Sequence, residues 1–134
     1  MIVSLHVATG GVAGAITPSR RSAVALGLLA HLAGDLMPHD DIPNRRFELR
    51  SGVAALLGLA IRRGPLDGVT LGAAAASAPD LEHLVRLPRP GGRKLFPSHR
   101  IPGWHRAGGV PTWFQLLAAG TLLGLLLAPR RSTW

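Results

Sequence analysis

The chain has 134 residues, 47% of them apolar, only 16% charged and 4% aromatic, with a net charge of +8 and no cysteine. That length allows a single domain, 1–134, and leaves no room for a catalytic domain joined to a separate anchor. The missing cysteines exclude disulfides, thiolate zinc sites and cysteine nucleophiles. A charged fraction this far below the roughly 25% of an average soluble domain leans towards lipid.

Five apolar stretches follow in order, at 1–17, 22–37, 47–61, 66–81 and 111–128. They predict an all-α fold, a small multi-pass transmembrane bundle of four to five short helices packed closely through small residues, at the cell membrane with the lipid bilayer as partner. The first stretch has no positively charged start, so it reads as a retained helix rather than a signal peptide. Its Gly10, Gly11 and Gly14 read as packing positions, because neither a Walker lysine nor a strand accompanies them. In the fourth stretch Pro79 should end the helix near Ser77 or Ala78, and Ser77 reads as the cap of a new short helix. The last stretch, PTWFQLLAAGTLLGLLLA, reads as the clearest span of the five. Between it and the fourth lies a basic loop, 82–110, rich in proline and glycine.

The basic charge would ordinarily suggest nucleic acid. Its placement disfavours that reading: Arg20 with Arg21, Arg62 with Arg63 and Arg130 with Arg131 are pairs between or after apolar runs, where anionic headgroups would meet them. Trp104, Trp113 and Trp134 read as interface anchors.

If successive helices alternate in direction, the N-terminus, the 38–46 connection and the 82–110 loop share one end, and the arginine pairs share the other. All six histidines, His6, His31, His39, His83, His99 and His105, then fall near the first end, with Asp35, Asp40, Asp41, Asp80 and Glu82. His31 and Asp35 are four apart, on one helix face, and Asp80 and His83 are three apart. Neutral imidazole and carboxylate together suit a divalent ion, zinc first, with manganese and iron also accepting such a set. The bland alternative is a polar contact between helices, since buried ionisable groups need partners of some kind.

The string HLAGDLMPHDDIPN, with an earlier histidine before it and APDLEH and HRIPGWH after it, resembles the predicted membrane-bound metal-dependent hydrolases over nearly the whole chain. On that resemblance His6, His31, Asp35, His39, Asp41, Asp80, His99 and His105 occupy the family's polar positions. His31, Gly34 and Asp35 also match, more distantly, the zinc-binding HxxGD element of the zinc-dependent phospholipase C and P1 nuclease group; beyond Asp35 the match departs. The resemblance implies one or two ions that activate water against a phosphoester or other ester at the membrane surface. Glu82 or Asp40 would be the general base, and Arg86, Arg100 and Arg106 would hold an anionic substrate such as a phospholipid headgroup. The rival reading is a non-enzymatic membrane metal-binding or scaffold protein.

Overall fold

The computed structural model describes residues 1–83 and 88–129. The regular structure of the described residues is helical, with no strand: α1 (Val3–Ala15), α2 (Arg20–Leu36), α3 (Arg45–Arg63), α4 (Gly68–Ser77), the single-turn α5 (Pro97–Arg100) and α6 (Thr112–Leu127). Local chemistry sets the boundaries. Ser19 and Ser22 close a reciprocal capping box before α2, Asn44 accepts from the Phe47 N–H at the start of α3, and Asp67 accepts from the Val69 N–H at the start of α4. Each satisfies a donor that the first helical turn leaves open. Arg62 and Arg63 close α3 and donate to the Leu127 and Leu126 carbonyls at the end of α6.

Pro79 lacks an N–H, and the α-helical ladder of α4 ends at Ser77. The chain runs straight on as a 3₁₀ turn, Ala78–His83, instead of the new capped helix expected there. Ser77 Oγ donates back to the Ala73 and Ala74 carbonyls and caps nothing.

Helix α1 is the centre of the bundle, packed on α2, α3, α4 and α6. Its apolar residues face neighbours on every side, as a fully surrounded helix requires. Val7 packs with Leu59, Val69, Ala73 and Leu126, while Ile2, Leu5 and Ala8 pack with Ala119. Against α4 the backbones touch: a Cβ on Gly72 would run into the Gly10 carbonyl, and one on Gly14 into that of Gly68. Those contacts make α1 and α4 antiparallel and bring the His-bearing ends of the helices to one side.

The expectation of a multi-pass transmembrane protein at the cell membrane is overturned. No described helix is both long and apolar enough to cross a membrane. The most apolar, α6, has 16 residues, and α1 and α4 have 13 and 10. At 1.5 Å per residue even α6 spans only ~24 Å of a hydrocarbon core ~30 Å thick. The longest, α3, has 19 residues but carries Arg45, Arg46, Glu48, Arg50, Arg62 and Arg63. The apolar bias of the composition is real. It lies partly on outer faces, where Leu29, Leu57, Ile61, Trp113, Leu117 and Leu125 are exposed.

Candidate metal centre

Four elements deliver the polar residues to one end. α1 supplies His6, α2 supplies His31 and Asp35 one turn apart, the 3₁₀ turn supplies Asp80, and α5 supplies His99. His39 and His105 come from two loops held together by backbone hydrogen bonds, from His39 N–H to the Arg106 carbonyl, from Asp40 N–H to the Val110 carbonyl and from Val110 N–H to the Pro38 carbonyl. Gly109 permits that seam: its φ is +109°, and a Cβ there would lie 2.5 Å from the Pro38 carbonyl oxygen. Gln115 completes it, buried, accepting from Ile2 N–H and donating to the Asp40 and Val110 carbonyls.

Asp35 is the hub. Its Oδ1 lies 3.0 Å from His6 Nε2 and 3.1 Å from the Met1 amine, and its Oδ2 lies 3.0 Å from His31 Nε2 and 3.2 Å from His99 Nε2. His31, Asp35 and His6 are all 1% exposed or less. On its far side His31 Nδ1 donates to the Ala76 carbonyl at 2.8 Å. His39 Nδ1 donates to the Met37 carbonyl at 2.6 Å, and His99 Nδ1 to Glu82 Oε1 at 2.5 Å. Carbonyl and carboxylate oxygens only accept, which assigns the Nδ1 proton in all three rings.

That assignment has an electrostatic consequence. With Nδ1 given to the Ala76 carbonyl, His31 turns Nε2 towards Asp35 Oδ2, and that nitrogen meets the carboxylate either as a lone pair or as an N–H. Among the described residues His31 Nε2, Asp35 Oδ2, His6 Nδ1 and Asp80 Oδ2 are buried without a hydrogen-bond partner. Two acceptors at 3.0 Å repel unless a proton or a cation lies between them. Anchoring of the outer ring nitrogen to a carbonyl or carboxylate is the arrangement that orients metal-binding histidines.

The spacings suit an ion. Four overlapping groups, His6 with His31 and Asp80, His31 with Asp35 and His99, Asp35 with His39 and His105, and Asp80 with His83 and His99, each offer three donor atoms within 4.8 Å of one another. A tetrahedron around zinc at 2.0–2.1 Å has edges of about 3.3 Å. The separations of 3.0, 3.2 and 3.7 Å from Asp35 and Asp80 to His31 and His99 bracket that value. These His and Asp groups are positioned to hold a metal ion.

Burial would push the Asp35 carboxyl up, but the imidazoles of His31, His6 and His99 outweigh it and hold the group far below the carboxylate range. Asp80 goes the other way: burial, with the Asp35 charge adding to it, raises it to about 6 against the opposing His31 and His99. Burial lowers His6 to about 3, keeping it neutral, and lowers His83 to about 4 with help from His99 and Lys94. His105 is also lowered by burial. Burial opposes protonation of His99, yet Asp35 and Glu82 together raise it.

The structure therefore brings His6, His31, Asp35, Asp80 and His99 into two overlapping groups that share His31, with His39 and His105 joined to Asp35 in a third. His83 stands at the exposed rim. Asp41 lies 3.4 Å from His39 Nε2, is 57% exposed on its side chain and falls outside the four groups. Neither expected general base is placed as one. Glu82 is buried and already accepts from His99 and from Leu95 N–H at 2.7 Å, and Asp40 is exposed and outside the four groups. Glu82 is instead a positioning residue for His99. Nothing in its spacing revealed that, because its partners lie 13 and 17 residues downstream. Arg106 turns to its own loop, donating to the Gly103 carbonyl. Arg86, Arg130, Arg131 and Trp134 lie outside the described residues.

Beside the cluster opens a cavity of about 630 Å³, whose lining includes Asp35, Asp80, His83, His99 and His105. Its size falls within the range of small-molecule sites. No family model matches the chain, and neither a curated protein nor a solved structure matches it.

Proposed function

We propose that this protein is a metal-dependent hydrolase, with zinc bound by the three donors His31, Asp35 and His99, with Asp80 beside them, and with His6, His39 and His105 around Asp35. The observation that carries the reading is the buried pair His31 Nε2 and Asp35 Oδ2, 3.0 Å apart and each without a hydrogen-bond partner among the described residues. Zinc is favoured because the donors are imidazole and carboxylate, with His31 and His99 each anchored through Nδ1. A metal in this position supplies a Lewis acid and lowers the pKa of a bound water towards ~7.

The chain's own residues supply the rest. Glu82 holds the His99 ring in one tautomer and orientation, and the Ala76 carbonyl does the same for His31. Asp80 lines the cavity, with Oδ1 3.7 Å from His99 Nε2 and Oδ2 without a partner among the described residues. That free oxygen is placed to take the proton of an attacking water and return it to the leaving group. A cavity reaching the donors supports a catalytic site over a closed structural one, since catalytic sites keep a position open.

The test is turnover of p-nitrophenyl acetate and bis(p-nitrophenyl) phosphate by protein stripped with chelator and then reloaded with zinc, manganese or iron. Hydrolysis of either substrate that vanishes on stripping, returns on reloading and is absent from Asp35→Ala supports the reading. Turnover by neither substrate with any of the three metals, or activity that survives stripping, refutes it.

A further inference from the structure

The cavity beside the donors continues away from them along α3. From Arg45 its lining runs through Glu48, Leu49, Gly52, Val53 and Leu56, with Val3, Ala74 and Leu81 on the facing walls. The eleven helical steps from Arg45 to Leu56 cover about 16 Å. An extended chain advances roughly 1.2 Å per bond, so that length takes on the order of twelve bonds. One end of the cavity thus carries ionisable groups, and the remainder is aliphatic.

Charge narrows the polar end. The lining holds Asp35, Asp41, Glu48 and Asp80 against a single described arginine, Arg45, which is bonded to the His83 carbonyl. One zinc ion offsets two of the four carboxylates, Arg45 a third and the Met1 ammonium, 3.1 Å from Asp35, the fourth. Among the described residues no surplus of positive charge remains to hold a phosphate, whose recognition calls for arginine or lysine clusters.

Resting on the hydrolase reading, we propose that the substrate is a single-chain fatty-acyl ester, its hydrocarbon tail lying along α3 and its uncharged ester at the donors. In the reaction the water oxygen bonds to the acyl carbon, and the bond from acyl carbon to alkoxy oxygen breaks with its electron pair leaving on the alcohol. One water proton passes through Asp80 to that alcohol, and the fatty acid releases the other to solvent.

The tail is measured without turnover, by calorimetric titration of zinc-loaded protein with acetohydroxamic and octanohydroxamic acids, whose shared head chelates zinc. Burial of a methylene strengthens binding about fourfold, so six added methylenes predict on the order of a 1,000-fold gain. Val53, 47% exposed on the outer wall, accepts a larger side chain without repacking of the core. In Val53→Trp the ratio of the two affinities falls at least tenfold. A gain below tenfold in the unaltered protein overturns the proposal whatever the variant does. Preference for bis(p-nitrophenyl) phosphate over p-nitrophenyl octanoate overturns the ester assignment. Binding of both hydroxamates with equal strength defeats the tail alone and leaves the metal centre standing, whereas binding of neither defeats the hydrolase reading beneath it.

Discussion

Replacing Glu82 by glutamine separates a positioning carboxylate from a ligand. Its side chain is 1% exposed, accepting from His99 Nδ1–H at 2.5 Å and from Leu95 N–H at 2.7 Å. Glutamine keeps the shape but loses the charge and one of the two acceptor oxygens, so only one of these bonds survives with an oxygen acceptor. Loss of such an outer partner typically weakens metal binding 10- to 100-fold, or about 1.4–2.8 kcal/mol. The same change removes one of the three carboxylates that raise His99, beside Asp35 and Asp80, so its pKa falls. Zinc affinity is read by competition with a chromophoric chelator, and the His99 titration by NMR of the metal-free protein. A Glu82→Gln protein with unchanged zinc affinity and an unchanged His99 titration refutes the assignment of Glu82 as the residue that orients His99.

Asp80 gives a pH prediction. Its folded pKa is raised to about 6 from 3.8, so the metal-free protein is favoured by a protonated Asp80 below pH 4 and loses that contribution as pH rises through 6. The 2.2-unit difference (6 − 3.8) corresponds to about 3 kcal/mol. Metal-free Asp80→Asn should therefore be more stable than the unaltered protein by up to that amount at pH 7 and equal to it near pH 4, measured by urea unfolding. A gap independent of pH contradicts the prediction. Because His99 is raised in the metal-free state, zinc must displace its Nε2 proton, and calorimetry in buffers of different ionisation enthalpy should record proton release on binding. Heats identical in every buffer would contradict that. For packing, Gly72→Ala puts a methyl group into the Gly10 backbone and should cost about 1–3 kcal/mol, despite alanine's better helix propensity. Gly120→Ala, with nothing within 4 Å of the added Cβ, should stabilise α6 by up to about 1 kcal/mol. Equal thermal shifts of the two variants would refute the close approach of α1 and α4.

Alternating helix direction and an i, i+4 pair were enough to bring the histidines and Asp35 together from sequence. Both are consequences of helix geometry, which spacing carries. Spacing does not carry the support of the site. The Ala76 and Met37 carbonyls that orient His31 and His39 are backbone groups, and Glu82 reaches His99 only after the 3₁₀ turn and α5 have packed together. Gln115 stands alone among apolar neighbours, and spacing names none of its partners, although a lone buried amide there calls for them. The membrane reading failed for a different reason. Composition records how much apolar surface a chain has, whereas spanning depends on unbroken helix length, and Pro79 and the arginines at both ends of α3 limit that length.

The account stands on a cation between His31 and Asp35. Zinc content per chain, determined by elemental analysis after dialysis against zinc and then against buffer, tests it most directly in the unaltered protein beside Asp35→Ala. At least one tightly held equivalent in the first and none in the second is the predicted result. Equal zinc in both, or none in either, contradicts it.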